Sequence, residues 1–156
     1  MANISERSRS MKFVLDSMLG RLAKWLRIMG YDTYYQPTYR LDELYRLSQE
    51  RIFITRNRAL AQKLKGILLT SDHIEEQLKE LKKKLDLKNS TLWLSRCIIC
   101  NTELREADPE RAQQFVPEYV YMENKNNIKF CPSCKRFYWP GTHRQNMLKK
   151  LKELGF

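Results

Sequence analysis

The sequence predicts an α/β fold: an open parallel sheet flanked by helices, followed by a small zinc ribbon and a C-terminal helix. Three observations point there. Short apolar runs alternate with segments of helical period on short connections, the pattern of strands paired in parallel. That alternation stops near Asn89. All four cysteines of the 156-residue chain then stand in two CxxC pairs, Cys97-Ile-Ile-Cys100 and Cys131-Pro-Ser-Cys134.

The elements follow in order. Lys12 to Leu15 is an apolar run closed by Asp16, a buried strand. From Ser17 the period changes: Leu19, Leu22, Ala23, Leu26 and Met29 keep helical spacing, and Arg21, Lys24 and Arg27 share the opposite face. Gly30 ends that helix, as a residue just past a C-cap should. Thr33 to Tyr35 is a second strand, and Leu41 to Glu50 a helix with Leu44 and Leu47 inward. Arg51 to Thr55 is a third strand, followed by a helix from Arg58 to Lys65. Ile67 to Thr70 is a fourth, and a long charged helix runs from His73 to Leu85. The switch between Asn89 and Cys97 separates an α/β domain over residues 11–90 from a ribbon with a basic terminal helix over 91–156. Residues 1–10, polar and mixed in charge, read as a disordered tail.

Paired thiolates on two tight turns are the usual way to build a tetrahedral Cys₄ zinc site, with each sulfur roughly 2.3 Å from the ion. The stretch between the pairs, about thirty residues, exceeds the roughly 15–20 of a compact ribbon and must contain a hairpin or an excursion. Two disulfides or four unrelated buried thiols are the alternatives, and nothing suggests secretion. A closed Cys₄ site is structural, so it locates a module and names no reaction.

Lysine and arginine number 29 against 18 acidic residues, a formal net charge of +11. Such an excess favours a polyanionic partner, nucleic acid first, with ribosomal neighbours or an anionic membrane surface also fitting. No apolar run approaches the roughly 20 residues of a membrane span, and Met1 to Ser10 lacks the apolar core of a secretory signal. A cytoplasmic protein is the expectation.

Open parallel sheets bind ligands outside the carboxyl ends of their strands. Asp16 directly follows the first strand, Asn57 the third and Asp72 the fourth, while Asp42 and Glu43 open the helix before the third. Carboxylate oxygens gathered there suit Mg²⁺ or Mn²⁺, hard cations that keep several waters and meet a substrate phosphate. Such an ion can promote phosphodiester hydrolysis. The plainer reading is that Asp16 and Asp72 cap helices and that Asp42 and Glu43 favour a helix dipole.

The run Lys12-Phe-Val-Leu-Asp-Ser-Met-Leu-Gly-Arg-Leu-Ala-Lys-Trp-Leu-Arg-Ile-Met-Gly-Tyr-Asp32 resembles the opening of the mutator-seven C-terminal RNase domain family. The resemblance continues through Leu41-Asp-Glu-Leu44, Arg51-Ile-Phe-Ile-Thr-Arg-Asn-Arg58, both CxxC pairs and Phe137-Tyr-Trp-Pro-Gly-Thr-His143. It implies a PIN-like nuclease sheet with a zinc ribbon appended, and a metal-dependent endoribonuclease activity. It would give Asp16 and an acid of the Asp42–Glu43 pair to the Mg²⁺ or Mn²⁺ site, with Asp72 as a further candidate member. Where the family pattern has Thr-Arg-Asp-Arg, this chain reads Thr55-Arg56-Asn57-Arg58. An Asn carbonyl still ligates a hard cation, but one negative charge is gone and metal affinity falls. Asp32 and Glu75 are acids that could have taken over.

The basic candidates for RNA are Arg21, Lys24 and Arg27 on the first helix, and Arg56 and Arg58 around Asn57. They would seat phosphates without reading sequence, against the alternative of a solvated helix face. Trp25 reads as packed. Lys135-Arg136-Phe137-Tyr138-Trp139 follows the last cysteine and could stack unpaired bases, although at least one of its aromatics should be buried under the ribbon. Four cysteines fill a tetrahedron, so His143 reads as solvated or hydrogen-bonded, or as an RNA contact. The terminal helix carries Arg144, Lys149, Lys150 and Lys152 around Met147, Leu148 and Leu151, suited to docking on the core or to gripping RNA. Lys79 and Lys82 to Lys84 form a solvated face. Two functions stay open: a metal-dependent endoribonuclease with ribosomal or transfer RNA among its candidate partners, or an RNA- or ribosome-binding protein whose site has decayed at Asn57. A protein–protein adaptor ranks last, given the charge.

Overall fold

The computed structural model describes residues 11–88 and 90–156. The expected tail over residues 1–10 lies outside them, as does Asn89. Strands β1 (Lys12–Leu15), β2 (Asp32–Tyr35), β3 (Ile52–Thr55) and β4 (Ile67–Leu68) form a parallel sheet in the order β2-β1-β3-β4. A 3₁₀ turn, Ser17–Leu19, leads into α1 (Gly20–Ile28); α2 (Leu41–Ser48), α3 (Arg58–Lys63) and α4 (Ile74–Lys84) follow. The α/β alternation is the one the sequence predicts. Several ends are shorter than expected, among them α2, which stops at Ser48. β4 pairs over two residues only, and α3 stops at Lys63 because Lys65 turns left-handed at φ 54°.

Period-2 alternation puts successive side chains on opposite faces. Phe13 and Leu15 of β1 and Ile54 of β3 face a core shared with Leu22, Ala23 and Leu26 of α1 and Leu78 and Leu81 of α4. Val14 and Phe53 face the other side, against Leu44 and Leu47 of α2 and Leu64 beyond α3. The sheet is thus covered on both faces, as an all-parallel sheet must be.

Beyond the sheet, β5 (Arg105–Glu106), β6 (Lys129–Phe130) and β7 (Phe137–Tyr138) form an antiparallel ribbon. The stretch between the cysteine pairs is an excursion of two short helices, α5 (Pro109–Phe115) and α6 (Glu118–Asn124). They close a small core of Ala112, Val116, Val120 and Ile128. The terminal helix α7 (Thr142–Glu153) returns to the first core, where Leu151 is fully buried and Met147 and Leu148 pack. Lys150 Nζ pairs with Glu75 at 2.9 Å, and Lys82 Nζ donates to the Leu154 carbonyl at 2.9 Å. Glu75 therefore clamps α7 and is occupied.

Polar contacts fix the first CxxC turn to the sheet. Arg27 is not on the exposed face of α1: it is buried, and donates to the carbonyls of Thr33 (3.0 Å), Ile98 (3.0 Å) and Ile99 (3.1 Å). Asn101 accepts from Thr33 N at 2.9 Å and donates to Asp32 at 2.7 Å. Arg51 completes the set on Asp32 at 2.7 Å. Asp32 opens β2, opposite Lys12 in register, so it sits at the amino edge of the sheet, away from Asp16. It cannot replace the charge missing at Asn57.

Burial raises the Asp32 carboxyl, but hydrogen bonds from Arg51 and Asn101 outweigh that and hold it below its usual range. Its stabilisation is present above the unfolded value of about 3.9 and is lost as pH falls through the lower folded value. Asp32→Ala should cost about 2 kcal/mol at neutral pH, read by urea unfolding. The cost should shrink as the wild type is acidified.

Candidate functional site

Chain connections leave β1 toward β2 on one face and leave β3 toward β4 on the other. The crevice between the carboxyl ends of β1 and β3 is thus the switch point at which open α/β sheets take ligands. Asp16 and Thr55 occupy it. Thr55 Oγ1 donates to Asp16 Oδ2 at 2.6 Å, and Ser17 N donates to Asp16 Oδ1 at 2.8 Å. Asp16 is 5 % exposed, and no lysine, arginine or histidine among the described residues pairs with it. A buried carboxylate without a counter-charge is costly. Two tyrosines brace this strand end: Tyr39 Oη donates to the Leu15 carbonyl at 2.8 Å and Tyr35 Oη to that of Ser17 at 2.7 Å.

Position 57 is linked to Asp16 through Thr55. Asn57 N donates to Thr55 Oγ1 at 3.0 Å, while Asn57 Oδ1 accepts from Leu60 N at 3.1 Å and caps α3. The capping reading also applies to Asp16, which caps the 3₁₀ turn, but not to Asp72, since α4 has no side-chain cap. Asp42 is exposed and pairs with Arg40 at 3.2 Å, and with Glu43 it stands in the first turn of α2. Asp72 is exposed, with His73 at 3.5 Å. No three of Asp16, Asp42, Glu43 and Asp72 bring carboxylate oxygens within 4.8 Å of one another. The expected acids share the carboxyl edge of the sheet without converging into a cage. Sequence reasoning passed over Thr55, although a hydroxyl residue ending a buried strand two places before Asn57 was a usable signal.

The four cysteines do converge. All four Sγ atoms lie within 4.8 Å of one another, with Cys97–Cys134 at 3.5 Å and Cys100–Cys131 at 3.3 Å. A disulfide needs about 2.05 Å, so these are free thiols around a common centre. The two turns repeat one hydrogen-bond scheme. Asn101 N donates to Cys97 O and Cys97 N to Thr102 O, as Lys135 N does to Cys131 O and Cys131 N to Arg136 O, all at 2.9 Å. Asn101 and Lys135 both take left-handed φ, 70° and 63°. Burial pushes Cys100 up, but hydrogen bonds with Thr102, Cys131 and Cys97 outweigh it and bring the thiol to about 6. Burial and hydrogen bonds with Cys131 and Cys97 push Cys134 up to about 12. Thiols this close ionise together only around a cation, and the all-sulfur donor set fits Zn²⁺.

The remaining basic candidates fall into groups. Arg56 and Arg58 are exposed at the start of α3 beside Asn57, and Lys149 is exposed on α7. Arg21, Lys24, Lys135, Arg136, His143 and Arg144 line one cleft of about 980 Å³ between α1, the cysteine turns and the start of α7. Trp25, Phe115, Phe137, Tyr138 and Trp139 line it as well. Tyr138 is the buried member of its aromatic run, with its hydroxyl 2.9 Å from Cys97 Sγ and the Arg144 guanidinium 4.6 Å from its ring centre. His143 is exposed and stands apart from the cysteine cluster. No helix among the described residues is long and apolar enough to cross a membrane.

The chain is thus a parallel α/β sheet with a buried acid at its switch point, joined to a ribbon whose four cysteines could hold a metal ion. Compared with known protein families, residues 11–151 match the Mut7-C RNAse domain, and the chain belongs to that family. No curated protein and no solved structure gives a significant match.

Proposed function

We propose that this protein is a metal-dependent endoribonuclease of the PIN-like type, acting in the cytoplasm, with a structural Zn²⁺ on Cys97, Cys100, Cys131 and Cys134. The observation that carries the reading is Asp16: a buried carboxylate at the switch point, aimed by two hydrogen bonds and lacking a cationic partner among the described residues. One protein carboxylate with free lone pairs fits Mg²⁺ or Mn²⁺, ions often held by one or two carboxylates plus water and substrate phosphate. When bound, that ion would offset the charge developing on the phosphodiester. Thr55 fixes the orientation of Asp16, and the exposed Asp42 and Asp72 or the half-buried Glu43 would join only by movement of their side chains. Arg56 and Arg58 sit at a helix N-terminus, where a cation is unfavourable; holding flanking phosphates would offset that.

One observation favours the second reading, an RNA-binding protein with a decayed site. Asn57 brings no charge, and its oxygen is engaged in capping α3. Asp16→Asn separates the two. Under the nuclease reading it should lower Mg²⁺- or Mn²⁺-dependent cleavage of a labelled RNA by at least about 100-fold, about 2.7 kcal/mol of transition-state stabilisation, with RNA affinity nearly unchanged. Equal loss of binding and cleavage would give Asp16 a structural role only.

A further inference from the structure

We infer that the cleft between α1, the cysteine turns and the start of α7 seats a short unpaired stretch of RNA, making single-stranded RNA the substrate presented to Asp16. This rests on the nuclease reading and specifies its substrate. Charge comes first. The charged residues lining the cleft are Arg21, Lys24, Lys135, Arg136 and Arg144, with His143 beside them, and no carboxylate among the described residues lines it. A cleft of one sign concentrates field and draws a polyanion. Charge alone does not separate single strands from duplex, since both present phosphates.

The aromatics make that distinction. Bases within a duplex have their faces covered by neighbours, whereas unpaired bases stack on aromatic side chains. Phe115 lies parallel to Phe137, with centroids 5.8 Å apart and planes 14° apart, and is still 66 % exposed. Most of Phe115 therefore remains open to solvent. Trp25 and Trp139 add partly exposed rings to the same cleft. Lys135 holds left-handed backbone at φ 63°, lines the cleft, and carries its ammonium 5.9 Å from the centre of the Phe130 ring. At about 980 Å³ the space lies near the top of the roughly 300–1,000 Å³ of ligand pockets and has room for a few nucleotides.

Position completes the argument. Arg21, in the first turn of α1, lies close in sequence to Asp16, and that end of α1 stands at the carboxyl edge of the sheet. The α1 wall of the cleft therefore starts toward the carboxyl edge of the sheet, and the cleft reaches the second cysteine turn. A strand lying in it would lead its backbone toward Asp16.

The test uses the zinc-loaded full chain without added Mg²⁺ or Mn²⁺. Fluorescence anisotropy compares a labelled oligouridylate with an RNA duplex of the same length. The single strand should bind more tightly and quench tryptophan emission. Phe115→Ala should weaken single-strand binding about 5- to 150-fold and leave duplex binding nearly unchanged. The double variant Lys135→Ala/Arg136→Ala, confined to exposed residues, should lower the slope of log affinity against log salt by about 0.7 per lost contact. Equal or tighter duplex binding overturns the inference, as does wild-type single-strand affinity and salt slope in these variants. The nuclease reading fails separately: a chain that binds single strands but cleaves nothing overturns that reading and leaves the cleft.

Discussion

Replacing Cys131 with serine, or stripping the metal with a strong chelator, is expected to melt the ribbon and lower overall stability by at least about 3 kcal/mol, a fall in Tm of roughly 6–12 °C. Cys131 is fully buried in a cluster of Cys97, Tyr138, Ile98, Leu104 and Cys134, a core too small to persist alone. Without the ion, four thiols at 3.3–4.8 Å must share protons, and the turns that carry them lose their common centre. The damage should spread outward. The first turn is tied to β2 through Arg27 and Asn101, and the second frames the cleft through Lys135 and Arg136. The sheet core, built from β1, β3, α1 and α4, should survive. Metal content by mass spectrometry, together with near-ultraviolet circular dichroism, reads both effects. A Cys131→Ser chain that keeps a full complement of zinc and an unchanged melt would contradict the closed Cys₄ site.

Gly30→Ala should cost about 3–5 kcal/mol, combining a left-handed penalty with overpacking. Gly30 holds φ 92°, and a Cβ there would meet the Leu92 carbonyl oxygen at 2.1 Å. Neither partner can step aside. Leu94 N donates to Ile28 O at 2.8 Å and Arg96 Nε to Gly30 O at 3.1 Å, so the segment entering the ribbon lies directly on the end of α1. Urea unfolding measures the loss, and a cost below about 1 kcal/mol would mean that this junction is not as close as described.

The strand and helix order was readable because each element of the first half carries its own period and its own terminator, Gly30 most clearly. The cysteine centre was readable because spacing alone brings each pair together. Arg27 was misread for a geometric reason. Residues spaced by six drift about 120° around a helix of 3.6 residues per turn, which turns Arg27 away from Arg21 and under carbonyls some seventy residues later, at Ile98 and Ile99. Helices α5 and α6 are seven residues each, too short to hold without their packed face, and left only local signals, Pro109 with Glu110 and Pro117 with Glu118. Asp16 was found by its position after a strand. Strand order does not say where side chains point, so the dispersal of Asp42, Glu43 and Asp72 was hidden. The cleft was hidden as a whole: its walls come from α1, both cysteine turns, the end of α5 and α7.

The most direct measurement of the central claim is the rate of Mn²⁺-dependent RNA cleavage by the wild type, Asp16→Asn and Asn57→Asp under one set of conditions, with chelator as the blank. Asp at position 57 keeps the cap on Leu60 N, suits the N-terminal end of α3 and restores one charge beside Thr55 and Asp16. The wild type should cleave, Asn57→Asp should cleave about tenfold or more faster at limiting metal, and Asp16→Asn should not cleave. Cleavage by Asp16→Asn at the wild-type rate, or none by either the wild type or Asn57→Asp, would contradict that claim.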